Sequence, residues 1–213
     1  MNFDRIAPFY QTMESWFAGR CLQHCRLAFL DQIPEPSRVL MVGEGHGRFL
    51  VPFRRKFPET EITVIDGSAK MLEIAGRRLV EEGLRTDGVA FVHSMLGDWK
   101  IPDQRFDLIV TNFVLDCLTA DQLGKAVSKL ESSATGDAHW LVADFQVPER
   151  GMARWRSRII LWLLYRFFGV TAGLSAKSLV SPDAFMEEAG FHLLERKTWD
   201  WGLLKSERWR RKG

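Results

Sequence analysis

The stretch Val39–Leu50, VLMVGEGHGRFL, contains the strongest local signal in this chain. Its first four residues are apolar and predict a buried strand, and the apolar residues from Phe49 onward predict a helix. Three glycines stand between them at alternate positions: Gly43, Gly45 and Gly47. Glycine provides no side-chain packing and costs conformational entropy, so its repetition indicates a loop whose backbone a ligand approaches closely.

The composition is that of a globular protein, and it disfavours several functional classes. A length of 213 residues favours one domain, with 46% hydrophobic and 26% charged residues. The net charge of +2 supplies no field that would attract nucleic acid. The opening residues MNFDRIAPFY lack the long apolar run of a signal peptide. The most apolar segment, Ile159–Val170, is interrupted by Arg166 and is shorter than the roughly 20 residues of a membrane span.

The cysteines indicate a reducing compartment, so we expect a cytoplasmic protein. Cys21, Cys25 and Cys117 form an odd and sparse set, which is not typical of a disulfide framework. Cys21, His24 and Cys25 would share one face of a helix, an arrangement that permits a metal site. No fourth ligand lies near them in the sequence, so helix packing explains them better and no metal is predicted.

Strand and helix signals alternate along the rest of the chain. Apolar runs predict strands over 38–43, 61–66, 88–94, 106–112 and 137–147, and helical spacing predicts helices over 48–57, 68–83, 121–133 and 181–190. Two final strands joined by a turn near Asp200–Gly202 should pair antiparallel. The alternation predicts an α/β fold, in which a mostly parallel sheet is covered by helices on both faces. Ligands of such sheets bind beyond the carboxyl ends of the strands, where the glycines lie.

The glycine loop favours S-adenosylmethionine over a dinucleotide. Dinucleotide loops follow G-x-G-x-x-G, and here Arg48 occupies the position of the third glycine. The carboxylate of Glu44 would repel a pyrophosphate and attract an ammonium group. Asp66 ends the second predicted strand, where an acidic residue can accept hydrogen bonds from ribose hydroxyls. Enzymes that use NAD share that position, and a helix-capping aspartate is the simpler alternative for Asp66.

Three stretches in this order, VLMVGEGHG, VIDGSAKML and FDLIVTNFVLDCL, resemble the class I S-adenosylmethionine-dependent methyltransferases. The resemblance covers residues 36–146. The opening FDRIAPFY is similar to the start of small-molecule members, such as the quinone-biosynthesis methyltransferases. The resemblance implies a seven-stranded Rossmann-like sheet of order 3-2-1-4-5-7-6 with strand 7 antiparallel, and S-adenosylmethionine as the cofactor.

The resemblance also implies a set of cofactor-binding residues. By position these are Tyr10, Gly43, Glu44, Gly45, Gly47, Asp66, Gly67, Ser68, Met71, Ser94, Met95, Asn112 and Phe113. The family often has an acidic residue where this chain has Met41, and that carboxylate helps to anchor the amino group of the cofactor. Glu44, three residues later, is the candidate that compensates for it.

Two residues are candidates for the proton acceptor that a protonated nucleophile needs. Asp116 follows the fourth predicted strand, where this family often lines the acceptor pocket, and it is the first candidate. Alternatively, Asp116 could be a solvated loop residue or a cap for the helix near Thr119. His93, at the end of the third strand, is the second candidate and is more often a hydrogen-bonded structural residue. His46 could shape the loop, and Cys117 fits packing better than nucleophilic attack.

We expect one class I methyltransferase domain over 1–213. Within it, 1–35 would form a helical cap, 36–146 the cofactor-binding core, 150–182 an insert, and 183–213 the last helix and hairpin. The insert has six basic residues, no acidic residue and many aromatic ones. It could form a lid over an apolar acceptor, contact an anionic membrane through 150–170, or form a homodimer interface.

The leading hypothesis is a methyltransferase that transfers a methyl group in line to a small, apolar or aromatic acceptor. Nucleic acid is disfavoured, because Thr111–Val114 lacks the prolines that base-methylating enzymes often carry after the fourth strand. The second hypothesis is a non-catalytic relative that binds the cofactor or a partner, motivated by Met41. The third is a nicotinamide-dependent oxidoreductase, disfavoured by Arg48 and Glu44.

Overall fold

The computed structural model describes residues 19–172, residue 176 and residues 178–212. Tyr10 and most of the expected N-terminal cap lie outside the described residues.

Seven strands form a single sheet whose order is β3-β2-β1-β4-β5-β7-β6. The strands are β1 Arg38–Val42, β2 Glu61–Asp66, β3 Val89–His93, β4 Phe106–Asn112, β5 Ala134–Phe145, β6 Phe191–Trp199 and β7 Leu204–Arg211. The first five pair in parallel, whereas β7 is antiparallel to both β5 and β6. The expected fold class and strand order are confirmed.

Six α-helices accompany the sheet in the part of the chain that the structure describes. They are α1 Gly19–Leu27, α2 Leu50–Lys56, α3 Ala69–Glu81, α4 Ala120–Ser132, α5 Gly151–Ala172 and α6 Asp183–Glu188. Short 3₁₀ turns follow α1 and β4, and another, Asp200–Gly202, connects β6 to β7 as expected. None of the described helices is long and apolar enough to cross a membrane.

Several element boundaries differ from the sequence expectation by one to three residues, and the fifth strand and the last helix are two examples. The fifth strand begins at Ala134 instead of residue 137, because Ala134 still pairs with Phe106 across a shift in register. The helix expected over 181–190 is restricted to Asp183–Glu188. Gly190 follows it with a φ of 81°, a conformation that favours glycine and ends the helix.

The core has a separate cluster on each face of the sheet, because alternate side chains of β1 point in opposite directions. Val39 and Met41 belong to the cluster that contains Phe49 and Phe53 near α2. Leu40 and Val42 belong to the other, which contains side chains of α4 and β5. The central strands are therefore buried on both faces, as parallel strands require, and their carboxyl ends are fixed at one edge of the core.

Candidate functional site

The three loop glycines adopt left-handed backbone conformations for different reasons. Gly43 has a φ of 67°, and a Cβ there would lie 2.7 Å from Cγ2 of Val114. Gly47 has a φ of 82°, and a Cβ there would lie 3.1 Å from Cα of Ala75 in α3. Contacts within the chain thus account for both glycines. Contact of Gly43 and Gly47 with a ligand stays a prediction.

Gly45 is the loop glycine that faces open space. Its φ is 64°, and an added Cβ would meet no atom within 4 Å. Its backbone N–H donates a 3.0 Å hydrogen bond to Oδ2 of Asp66. The loop therefore presents exposed backbone beside a carboxylate at the ends of β1 and β2, a cradle suited to a ligand with hydroxyl groups.

Asp66 connects the loop after β1 to the turn after β2. Its Oδ2 accepts from Gly45, and its Oδ1 accepts from the backbone N–H of Ser68 at 2.9 Å. Ser68, rather than Asp66, caps α3, since its hydroxyl accepts from the N–H of Met71 at 3.2 Å. The helix-capping alternative for Asp66 is therefore wrong, and the carboxylate lies at the ligand edge of the sheet.

Glu44 has a structural partner that the sequence did not indicate. Its Oε1 accepts hydrogen bonds from the N–H groups of Phe49 at 2.7 Å and Leu50 at 2.9 Å, so it satisfies the first amides of α2. Burial raises the pKa of Glu44 to about 7, although these hydrogen bonds and Arg26 act in the opposite direction. Contact between the other carboxylate oxygen and a ligand ammonium stays a prediction.

Met41 and Arg48 mark the two departures from common loop sequences. Met41 is fully buried in the core, so the end of β1 carries no carboxylate. Arg48 replaces the third glycine of a dinucleotide loop, and its Nε donates to Nε2 of His46 at 2.7 Å. Its backbone oxygen accepts from the side chain of Gln23 at 2.9 Å, which fixes the loop to α1. His46 therefore takes part in shaping the loop.

The residues after β3 lie on the far side of the site. The backbone N–H of Ser94 donates to the backbone oxygen of Asp66 at 3.1 Å. The side chain of Met95 is exposed. Nε2 of His93 lies 3.2 Å from the oxygen of Gly67. Both β2 and β1 separate β3 from β4. The structure therefore does not bring His93 and Asp116 together, and it gives His93 a structural hydrogen bond.

Asn112 is the last residue of β4 and Phe113 follows it. Both lie at the centre of the sheet edge that carries the glycine loop. Asn112 is buried, and its Nδ2 has no hydrogen-bond partner among the described residues. An amide that is buried without a partner costs free energy, so its position suits a ligand oxygen. Phe113 has a φ of 57°, and its ring stacks under the guanidinium of Arg26, which lies 4.9 Å from the ring centroid.

Asp116 is buried against a second carboxyl group, that of Asp144 at the end of β5. Oδ2 of Asp144 accepts from the backbone N–H of Asp116 at 3.1 Å, and Oδ1 accepts from the N–H of Phe145 at 2.9 Å. The two carboxyl groups lie close enough to affect each other's ionisation. Thr119 caps α4 in a capping box with Gln122, so Asp116 is neither that cap nor a solvated loop residue.

Burial controls the ionisation of this carboxyl pair. It raises the pKa of Asp116 and, together with the adjacent Asp116 charge, raises the pKa of Asp144 well above its ordinary range. Two anions in contact repel each other, so the pair retains a shared proton to higher pH than an isolated aspartate would. Once ionised, a carboxyl pair in this state is a stronger proton acceptor than an isolated aspartate.

Side chains from α5 and α1 surround the pair. The hydroxyl of Tyr165 donates to the backbone oxygen of Asp116 at 3.2 Å. Cys117 has a pKa raised well above the usual value by burial and by the two carboxyl groups, so its thiol is a poor nucleophile. The thiol of Cys25 donates to the backbone oxygen of Lys205 at 3.0 Å.

Within the described residues, no group of three His, Cys, Asp or Glu side chains could hold a metal ion.

Sequence reasoning missed three residues of this site: Arg26, Asp144 and Tyr165. The acidic Asp144 near the end of the apolar run WLVADF was a usable signal, since parallel strands end at the ligand edge. Arg26 and Tyr165 had no local signal, because each reaches the site from a helix distant in sequence.

Comparison with known proteins gives a family match for the core. Residues 39–135 match a family described as a methyltransferase domain. The chain is 35% identical over 97 residues to the release factor glutamine methyltransferase of Rhodopirellula baltica, covering 42% of this chain and 32% of that protein. It is 34% identical over 113 residues to the demethylmenaquinone methyltransferase of Thermotoga maritima, covering 52% of this chain and 46% of that protein. The chain therefore matches less than half the length of these two curated relatives.

The solved structures share the fold over nearly the whole chain. The structure of the mitomycin 7-O-methyltransferase MmcR superposes with a TM-score of 0.73 at 18% identity, covering 99% of this chain and 61% of that one. Neighbours of the same fold include chains solved with S-adenosylhomocysteine. At such low identity the likeness establishes the fold, and the acceptors of these relatives differ from one another.

Proposed function

We propose that the chain is a class I S-adenosylmethionine-dependent methyltransferase that methylates a small, apolar or aromatic acceptor by direct in-line transfer. The family match over residues 39–135 and the shared fold support this proposal. S-adenosylmethionine is accordingly its cofactor. The observation that carries the proposal is the buried Asp116–Asp144 carboxyl pair. Asp116 follows β4 and Asp144 lies in the last two residues of β5, at the edge where the glycine loop follows β1.

The residues at this edge fit the chemical groups of S-adenosylmethionine. Gly45 offers open backbone, Asp66 offers carboxylate oxygens to the ribose, and Asn112 offers a buried amide without a partner. The guanidinium of Arg26 is a candidate partner for the cofactor carboxylate. We propose that the other cofactor-binding residues implied by the family resemblance also contact the cofactor: Gly43, Glu44, Gly47, Gly67, Ser68, Met71, Ser94, Met95 and Phe113.

The cofactor supplies a methyl group on a sulfonium, which is already activated toward a nucleophile. The protein must therefore align the acceptor, exclude water and remove a proton where the nucleophile carries one. Val114 contacts the glycine loop at Gly43 and lies two residues before Asp116. This contact joins the cofactor loop to the carboxyl pair, which supports a role for the pair in accepting the acceptor's proton during transfer.

Aromatic side chains beside the pair favour an apolar acceptor. The rings of Phe113 and Phe145 meet edge to face, with centroids 5.4 Å apart. Tyr165 reaches the pair from the inward face of α5 and leaves its ring near Asp116. These groups would surround an acceptor with apolar side chains and one proton-accepting site. Such surroundings suit a phenol, an enol or a similar weakly acidic group.

Two measurements test the proposal. Titration calorimetry should detect binding of S-adenosylmethionine and S-adenosylhomocysteine but not of NAD; tight NAD binding without sulfonium binding would overturn it. Formation of S-adenosylhomocysteine should then be measured against a panel of phenols, hydroquinones and lipids. Cofactor binding with no turnover on any acceptor would favour the non-catalytic relative, for which the absence of a carboxylate at Met41 is the specific motivation.

A further inference from the structure

Helix α5 has one face packed on the protein and one apolar face exposed to solvent. Ser157 and Leu161 are buried on the inner face, and Tyr165 on that side contacts Asp116. The α5 outer face consists of side chains that are each more than half exposed: Met152, Trp155, Ile159, Trp162, Leu163 and Val170. Their spacing of three, four and seven residues places them along one side of the helix. A contiguous exposed apolar face of this kind marks an interaction site.

The charges beside this face have one sign. Arg158 and Arg166 are exposed on α5 beside or within this face, and Arg166 lies over the ring of Trp162 at 5.5 Å from its centroid. No acidic residue occurs between Arg150 and Pro182. The partner of this face must therefore combine an apolar layer with negative charge.

The adjoining turn extends the same surface. Arg156 pairs with Asp200 at 2.9 Å and thereby holds the Asp200–Gly202 turn against α5. Trp201 in this turn is two-thirds exposed. Tryptophan is favoured at the boundary between water and lipid, since its ring is amphipathic.

We propose that the α5 outer face docks on an anionic membrane surface, with the helix lying in the plane of the headgroups. The helix has 22 residues and is about 33 Å long, and apolar side chains with flanking arginines are typical of interfacial helices. A second copy of this chain fits less well. An isologous pairing of two α5 helices would bring arginines together without an acidic residue on either helix. If the proposed function holds, docking also places the acceptor side of the site near the lipid.

Vesicle co-sedimentation tests this proposal on the full chain. We compare vesicles of phosphatidylcholine alone with vesicles that also contain phosphatidylglycerol. The two arginines beside this face predict a preference for the anionic vesicles of roughly thirtyfold, decreasing steeply with added salt. Equal binding to both vesicle types, or no binding at low salt, would overturn the proposal.

Variants separate the apolar from the charged contribution. Trp155→Gln combined with Ile159→Gln should weaken binding to anionic vesicles by at least about tenfold. Arg158→Gln combined with Arg166→Gln should remove most of the preference for anionic vesicles. Val80→Gln on α3 replaces an equally exposed apolar residue away from α5 and serves as the matched control. Wild-type binding by the Trp155/Ile159 variant contradicts the proposal.

The oligomeric state provides an independent check. Light scattering after size exclusion should give the same mass for the wild type and the Trp155→Gln/Ile159→Gln variant. A wild-type dimer that this variant dissociates would identify a second copy as the occupant and overturn membrane docking. Thermal unfolding of the variant should match the wild type, since both side chains are exposed.

Discussion

Asp116 in the turn after β4 and Asp144 near the end of β5 are in contact: Oδ2 of Asp144 accepts a 3.1 Å hydrogen bond from the backbone N–H of Asp116. Both side chains are almost fully buried. The structure thereby places two acidic groups in one apolar environment, and their mutual repulsion favours retention of one proton. The first three predictions concern this pair.

Asp116→Asn should lower turnover by about a hundredfold or more, because a positioned general base contributes at least that factor. The affinity for S-adenosylhomocysteine should stay near the wild-type value, since the change preserves size and lies outside the glycine loop. Single-turnover kinetics and calorimetry measure the two quantities. The control is Asp121→Asn, at an exposed aspartate paired with Lys125 in α4. Wild-type turnover by the Asp116 variant removes this residue from the mechanism.

Turnover should depend on pH through the raised pKa of the pair. Burial raises the pKa of Asp116 above the ordinary value of 3.8, so its proton-accepting form is gained only at higher pH. We therefore expect the acid limb of kcat/KM to lie well above pH 4, with the rate increasing as the pH rises. A profile that is flat down to pH 4 contradicts a proton-accepting role for the pair.

Asp144→Ala should destabilise the protein more than Asp144→Asn. Alanine leaves the buried N–H groups of Asp116 and Phe145 without acceptors, at about 1–3 kcal/mol each, whereas asparagine keeps one acceptor oxygen. Chemical unfolding measures both free energies. Turnover should fall in the same order because Asp116 loses its positioning partner. Equal stability of the two variants would show that these hydrogen bonds contribute little.

Glu44→Gln should flatten the dependence of stability on pH between about 4.5 and 7. The folded state binds a proton at Glu44 more tightly than the unfolded state, in which the ordinary value of 4.5 applies. Stability is therefore lost as the pH rises through this window, by at most about 3 kcal/mol for the wild type. Glutamine keeps the acceptor for Phe49 and Leu50 but does not titrate. The exposed Glu81→Gln is the control, and an unchanged slope for Glu44→Gln contradicts the argument.

Gly43→Ala and Gly45→Ala should have different effects. Both substitutions strain a left-handed backbone by about 1–2 kcal/mol. Alanine at position 43 also collides with Val114, so its unfolding free energy should decrease further. Alanine at position 45 meets no atom of the described residues within 4 Å, and its main effect should be a loss of cofactor affinity. Thermal unfolding and calorimetry separate the two; equal cofactor affinity for Gly45→Ala and wild type would show that no ligand lies against this glycine.

Local patterns were sufficient to predict most of the fold. The alternation of apolar runs and helical spacing predicted β2 and β4 to the residue. The strand order followed from three short stretches that resemble a known family. Such features succeed because periodicity, capping and turn chemistry depend on residues close together in the chain.

The site depended on contacts that no local pattern contains. Asp144 lies 28 residues after Asp116, and Tyr165 lies 49 residues after it. The steric reason for Gly43 is Val114, and the partners of Glu44 are amides of the next helix. The amino-acid sequence determined where the strands end and which residues follow them. Only the packing of β4, β5, α1 and α5 determined which of those residues meet, because burial, hydrogen bonding and charge interaction act between atoms that are neighbours in space.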